Sequence, residues 1–391
     1  MIETIISIAG SVVAAATLPG SVEILLLTFG AALLKEKADK KLSDEPVKLA
    51  IVIPAHNEET SVSQTVSSIL KCRTLRHTVS VVVLADNCTD NTVEVAKQAG
   101  ARVIVRNDLR KKGKGFALEY AFGILLAEDI DAVVVVDADT EVKTDMVEQF
   151  CKKFSEGADA VQCYYGVNNS SDSFRTRLMN VALLAFNRLR PLGRQRLGLS
   201  VGVLGNGFGL TRKTLLSVPY TASSVVEDLE YHLKLVKAGC KVEFIDTTAV
   251  YAEMPAAGRG VKTQRARWEG GRLRILVEHA PELVREVTRG RIAAIEPLLD
   301  LMLLPLAFHC LLLGISLFTP ITVVKLYAVS SLVLVLLHIL AAVVIGKGSW
   351  KDLASLLTAP FYILWKLTII PALIVASRKD ASWIRTTRKD A

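Results

Sequence analysis

Apolar and polar positions are arranged in two styles along this chain. In three stretches the apolar residues run on almost unbroken: residues 5–34 carry one charge, Glu23, and residues 301–324 and 326–346 carry none, with Lys325 between them. Roughly 20 apolar residues in a helix cross a bilayer core, so each stretch is a candidate membrane span. Between residues 48 and 140 the pattern instead switches between short β-branched runs and helical spacing. The runs KLAIVIPA (48–55), TVSVVVLAD (78–86), ARVIVRN (101–107) and DAVVVVDADT (131–140) read as strands. The segments EETSVSQTVSSILKC (58–72), NTVEVAKQAG (91–100) and GKGFALEYAFGILLA (113–127) read as helices, with Val62, Val66, Ile69 and Leu70 on one face and Gly100 as a C-cap. This alternation predicts an α/β fold, a mostly parallel Rossmann-like sheet covered by helices. In open sheets of this kind ligands bind beyond the carboxyl ends of the strands.

Composition supports a membrane protein with a globular centre. The chain has 391 residues, 51% of them hydrophobic, and a mean hydropathy of +0.38. The apolar excess sits at the two ends, whereas residues 46–290 have ordinary globular composition. No Lys or Arg precedes residue 35, and the first apolar stretch is too long for a signal-peptide core, so it reads as an anchor over residues 1–34. Pro19 and Glu23 within it suggest a kinked or tilted span. Lys35, Lys37, Lys40 and Lys41 follow directly, which by the positive-inside rule puts the globular part in the cytoplasm, at the inner membrane. Two spans over 297–346, turning at 318–320, bring GKGSWKD (346–352) back inside. The segment 353–377 carries Pro360, Lys366 and Pro371 and suits a re-entrant or interfacial course better than a further crossing. The basic tail 378–391 is expected in the cytoplasm. Six scattered cysteines without metal-ligand spacing read as small buried hydrophobes. The net charge of +8 and pI near 9.1 go with a basic face on anionic lipid; no aromatic-interleaved basic motif points to nucleic acid. Six arginines, at 175, 177, 188, 190, 194 and 196, flank an apolar middle in 173–198 and predict an amphipathic helix lying on lipid headgroups.

The chemistry-bearing residues gather at predicted strand ends. Asn57 and Glu58 stand where the first strand turns into a helix, and Asn57 reads as its N-cap. Asp90 reads as a cap for the next helix, while Asp86 sits at the strand end itself, placed to accept hydrogen bonds from a base or ribose. A basic turn, RNDLRKKGKGFA (106–117), sets Arg110, Lys111, Lys112 and Lys114 before a helix and favours an anion such as phosphate. It lacks the P-loop spacing, and Lys114 is the residue expected to reach a ligand. Asp137 and Asp139 end the valine strand one residue apart, and two carboxylates that close call for a positive partner between them. A hard divalent cation shared with a diphosphate meets that need, and it stabilises charge on a departing diphosphate. Downstream lie the glycine-rich loop GVLGNGFGLTRKTL (202–215), an acidic pair, Glu227 and Asp228, opening a helix, and QRARWEGGR (264–272).

With these four motifs in this order, residues 48–275 resemble the family 2 glycosyltransferases of GT-A fold, and the flanking apolar segments resemble those of its membrane-bound members. Asp86 matches the nucleotide aspartate, Asp137-Ala138-Asp139 the DxD, and Glu227-Asp228 the ED base motif, with Val226 where Thr is usual. Gln264, Arg267 and Trp268 match QxxRW. The resemblance implies that Asp86 and Glu58 hold the nucleoside, and that Asp137 and Asp139 hold the nucleotide and Mg2+ or Mn2+. It implies that Asp228 deprotonates the acceptor hydroxyl in a single inverting displacement of a nucleotide, by family habit UDP. Arg267 would then lie near the diphosphate and Trp268 would offer a face to an acceptor sugar. The processive synthases share QxxRW, yet no FxVTxK stretch follows it here. The expected activity is therefore single addition of a sugar to a lipid-linked or envelope polysaccharide acceptor. A processive β-glycan synthase and a non-catalytic sugar-nucleotide-binding scaffold are the alternatives.

Overall fold

The computed structural model describes residues 1–35, 45–72, 74, 76–221, 224, 226–254 and 259–378; Lys37, Lys40, Lys41 and nearly all of the basic tail fall outside them. The chain forms two units, an α/β unit from residues 36–169 and 200–254 and a helical unit from residues 1–35, 170–199 and 255–391.

The α/β unit is built on an eight-stranded sheet of order β3-β2-β1-β4-β7-β6-β8-β5. The strands are β1 (Lys48–Ala55), β2 (Thr78–Asp86), β3 (Arg102–Arg106), β4 (Ala132–Val135), β5 (Thr140–Val142), β6 (Ala160–Val167), β7 (Phe208–Thr211) and β8 (Val242–Ala252). Pairings β1–β2, β2–β3, β1–β4 and β6–β8 are parallel; β4–β7, β6–β7 and β5–β8 are antiparallel. The four strands read from the sequence are therefore neighbours, and their carboxyl ends form one edge. β1 and β4 are buried on both faces, which is why they read as continuous Val/Ile/Ala runs rather than alternating ones. One face packs Val62, Val66 and Ile69 of helix Val62–Leu70 against Ile51, Ile53, Val83 and Val134.

Three differences from the expected elements have local causes. Helix 58–72 begins only at Val62, because residues 58–61 form a turn in which Ser61 and Val62 donate to the Glu58 carbonyl. Asn57 is consequently no N-cap: it sits at φ +57° and its Oδ1 accepts the Thr89 N–H at 2.7 Å. Strand 131–140 stops at Val135, and the chain turns through residues 137–139 into β5, which belongs to the far edge of the sheet.

In the helical unit, Ile2–Leu33 and Thr322–Ile345 are helices long and apolar enough to cross a membrane. The apolar stretch 301–324 is not one helix. Ile292–Met302 and Leu306–Ser316 meet at a 78° bend, at Pro305, which has no N–H to continue the helical ladder. Segment 350–376 is likewise a pair of helices bent by 59°. Lys366 within it is buried and ion-paired to Glu269, and a Cβ on Gly270 would lie 2.8 Å from the Leu373 carbonyl, so this segment packs hard against helix Arg259–Thr288.

The arginine-rich stretch is helical over Phe174–Leu183 and Arg190–Leu197, with a π-helical turn at Leu184–Leu189. It does not lie wholly on headgroups: Arg190 and Arg194 are buried and meet acids from elsewhere in the chain. Arg194 donates to Glu23, Glu296 and Asp300, Arg190 to Asp300, and Arg272 also to Asp300. The same stretch touches the carboxyl ends of both long helices. Gly193 packs on the Leu27 backbone, Arg196 donates to the Ala31 carbonyl, and Arg188 donates to the Gly346 carbonyl at 3.2 Å.

Candidate active site

Antiparallel pairing of β7 with β4 builds the centre of the site. Val135 pairs with Phe208, so the residues just before β7 must lie beside those just after β4. The Gly205-Asn206-Gly207 loop thereby meets Asp137-Ala138-Asp139. Asn206, fully buried, accepts the Asp137 N–H at 3.1 Å and donates to Thr140 Oγ1 at 2.9 Å. Thr65 donates to the Ala138 carbonyl at 2.9 Å, and Ala138 sinks into the core. Asp137 and Asp139 flank this buried residue in the turn and are each partly exposed. Gln162 holds the loop from beneath, donating to the Asn206 carbonyl at 2.8 Å and accepting the Leu204 N–H at 2.9 Å. Sequence reasoning passed over Asn206 and Gln162; an Asn set between two glycines was the signal available.

Lys114 and Asp228 complete this centre. Arg110, Lys111 and Lys112 of the basic turn are exposed, whereas Lys114 opens helix Lys114–Leu125 half-buried, and its ammonium donates to Asp137 Oδ1 and to the Gly205 carbonyl. Gly205 has φ +75°, and a Cβ there would stand 2.9 Å from Asp228 Oδ2, so only glycine lets the Asp228 carboxylate settle over this loop. Asp228 is in the first turn of helix Glu227–Lys237, and its Oδ1 accepts the Leu229 N–H at 2.8 Å. Burial raises the Asp228 carboxyl above the ordinary aspartate range, against the opposing pull of the Leu229 N–H and the Lys114 ammonium. Burial also acts to lower Lys114, yet Asp137, Glu227 and Asp228 outweigh it and the ammonium is raised. Among the predicted residues, then, the structure brings Lys114, Asp137 and Asp228 into one chain of contacts, with Glu227 within electrostatic reach.

Asp86 and Glu58 lie at the neighbouring strand ends in different company. Asp86 is opposite Arg106 in the β2–β3 register, and the two form a buried ion pair. Arg106 also bonds the Lys111 carbonyl at 2.8 Å, which fastens the basic turn to the sheet. Asn87, at φ +53°, donates to Asp86 Oδ1 at 3.0 Å and accepts the Asp108 N–H at 2.8 Å. Asparagine tolerates this left-handed backbone better than most residues, and such positions cluster at functional sites. Glu58 Oε2 accepts from Ser61 Oγ at 2.8 Å, and its N–H donates to Thr92 Oγ1 at 2.8 Å. Asp90 bonds the first helical N–H, that of Thr92, at 3.1 Å. Gln264, Arg267 and Trp268 belong to helix Arg259–Thr288 of the helical unit; Gln264 is buried and the Arg265 guanidinium lies 5.8 Å from the Trp268 ring centre.

Comparison with known proteins agrees with the fold and gives the family. A solved mannosyltransferase from Pyrobaculum calidifontis, PcManGT in complex with GDP-Man and Mn2+, superposes with a TM-score of 0.56 at 17% identity, covering 95% of this chain and 97% of that one. That likeness is one of fold. A probable glycosyltransferase of Bacillus subtilis (strain 168), YdaM, is 23% identical over 289 residues, 72% of this chain and 67% of its own length. The family model described as "Glycosyltransferase like family 2" matches residues 46–271, more than half the chain. The chain belongs to the family 2 glycosyltransferases, enzymes of GT-A fold that transfer a sugar from a nucleotide sugar.

Proposed function

We propose that this enzyme transfers one hexose, with inversion, from a UDP-sugar to a lipid-linked or envelope polysaccharide acceptor at the cytoplasmic face of the inner membrane. The observation that carries the reading is the line of contacts from Asp137 through Lys114 and Gly205 to Asp228. It sets a diphosphate-seeking cation and a carboxylate made more basic by burial on either side of one loop. Asp228 accepts the proton of the acceptor hydroxyl as that oxygen bonds the anomeric carbon. The bond from that carbon to the diphosphate breaks on the opposite face, and Lys114 donates to the departing phosphate oxygens. Asp86 and Glu58 hold the nucleoside at the adjoining strand ends.

Asp137 and Asp139 suit Mg2+ or Mn2+: both offer hard carboxylate oxygens from a turn fixed by Asn206 and Thr65. Bound there, the ion supplies Lewis-acid stabilisation of the leaving diphosphate. By the family motif, Gln264, Arg267 and Trp268 serve the acceptor and the diphosphate. The domain assignment is an anchor over 1–34, a catalytic domain over 46–290, two spans over 297–346, a re-entrant or interfacial segment over 353–377 in preference to a third C-terminal span, and a cytoplasmic tail over 378–391. Its orientation is supported by Lys35, Lys347 and Lys351 beyond the carboxyl ends of the two long helices, both of which the arginine-rich stretch touches.

The test is purified protein in detergent with a panel of UDP- and GDP-sugars, Mn2+ or Mg2+, and polyprenyl phosphate or glycan acceptors, reading nucleotide release and product length. One sugar per acceptor from a UDP donor is expected. Long polymer from the purified enzyme would replace this reading with a processive synthase, and no release from any donor would overturn catalysis.

A further inference from the structure

We propose that Lys114 is the resident cation of the metal-free site, and that a divalent ion gains Asp137 only as a nucleotide diphosphate draws the Lys114 ammonium away. The inference rests on the reading of Asp137 and Asp139 as the metal carboxylates.

Lys114 holds the Asp137 oxygen that a metal bound there would need. Its ammonium donates to Asp137 Oδ1 and to the Gly205 carbonyl, and the two side chains of the ion pair are 23% and 31% exposed. The pair is thus shielded enough to hold and open enough to part. Lysine suits exchange, being a compact charge on a flexible four-carbon stem, where arginine would grip with a rigid fork. The backbone that carries Asp137 is fixed: its N–H is bound by Asn206 and its neighbour Ala138 is buried. When a diphosphate arrives, Lys114 is the mobile partner, and an anion of higher charge competes for it. Oxygen of Asp137 is released to the metal in the same event. Metal and nucleotide binding are therefore coupled through one side chain, and the coupling is reciprocal.

The experiment uses full-length protein in detergent and Mn2+ as the probe, with free Mn2+ read by electron paramagnetic resonance. In wild type, Mn2+ alone binds weakly, UDP tightens it by about tenfold or more, and uridine, lacking the diphosphate, leaves it unchanged. Lys114→Gln removes the competing cation, so Mn2+ alone binds about tenfold tighter than in wild type and UDP adds less. Lys112→Gln makes the same charge change on the exposed turn and leaves Mn2+ affinity within about twofold, because exposed charges are screened. Lys114→Arg keeps the cation, and Mn2+ alone stays as weak as in wild type or weaker, which serves if Lys114→Gln does not fold. An unchanged or weaker affinity in Lys114→Gln overturns the exchange while leaving the metal site standing, provided Asp137→Asn loses Mn2+. Absence of Mn2+ binding in every variant, with UDP present, removes the metal reading and this inference together.

Discussion

Two acidic clusters in this molecule are compensated in opposite ways. In the helical unit Glu23, Glu296 and Asp300 bring carboxylate oxygens within 4.8 Å of one another, a spacing that a metal ion would suit. Three guanidiniums already fill that role: Arg194 bonds all three acids, and Arg190 and Arg272 bond Asp300. Arginine's planar fork makes several bonds at once, and these side chains are almost wholly buried, so the cluster reads as a permanent fastening of four chain segments. In the α/β unit Asp137 is met by a lysine on a flexible stem, at a solvent-reached strand edge. Carboxylate spacing alone would nominate this first cluster and not the metal site proposed at Asp137 and Asp139. The kind of countercharge, and how readily it leaves, separates a structural knot from a site that exchanges ligands.

The largest effects should come from the exchanging cluster. Asp139→Ala is expected to abolish transfer and Mn2+ binding, measured by nucleotide release and by Mn2+ titration. Asp228→Asn keeps the shape and loses the base, so kcat falls by about 10²–10⁴ while donor binding persists. Undiminished turnover in Asp228→Asn would withdraw the base assignment. Asp300→Asn, from the arginine-bound cluster, should lower stability and leave the Mn2+ requirement as it was.

Next comes the arginine knot. Arg194→Met leaves Glu23 and Glu296 buried without the guanidinium they share, and removal of one partner from a buried ion network typically costs about 3–5 kcal/mol. The check is unfolding in detergent, where the midpoint should drop steeply. A midpoint equal to wild type would mean that the cluster is hydrated or rearranges freely, and the contrast with Asp137 would lose its basis.

A smaller effect tests the frame around Asp137. Asn206→Ala takes the acceptor from the part-buried Asp137 N–H and the donor from the buried Thr140 Oγ1. Leaving such groups unpaired costs about 1–3 kcal/mol, and the loosened turn should weaken Mn2+ binding measurably. Loss of stability with Mn2+ affinity intact would show that the loop steadies the sheet without shaping the metal carboxylates.

What was legible in the sequence depended on how local its cause was. β1 and β2 were read to the residue, because β-branched runs ending at turn-forming residues specify a buried strand by themselves. β5 has three residues and no pattern of its own, and it exists because β8 pairs with it. The break at Pro305 falls inside a stretch of unbroken hydropathy, so hydropathy by itself does not show it. In the arginine-rich stretch the helical period was readable, whereas the burial of Arg194 was not, since Glu296 and Glu23 lie 102 and 171 residues away. The site divides in the same manner. Lys114, Asp137, Asp139 and Asp228 announce themselves by charge at strand ends and helix starts. Asn206, Gln162 and Arg106 act through partners that only the sheet order brings near.

The least of the expected effects ties the base to the exchanging lysine. Burial raises the Asp228 carboxyl, while the Leu229 N–H and Lys114 pull it down. Because the deprotonated form takes the hydroxyl proton, a raised value means that activity is lost earlier on acidification, so the acid limb should stand above the ordinary aspartate range. In Lys114→Gln one of the lowering groups is gone, and the limb should move further toward neutrality. The profile of kcat/KM for the donor reports the free enzyme, where Lys114 sits between Asp137 and the Asp228 loop. The profile of kcat reports the loaded complex, where Lys114 has gone to the diphosphate. The substitution should therefore move the first limb more than the second. Equal movement of both would mean that Lys114 never leaves Asp137, and the distinction between an exchanging cluster and a fixed one would fail at its most exposed point.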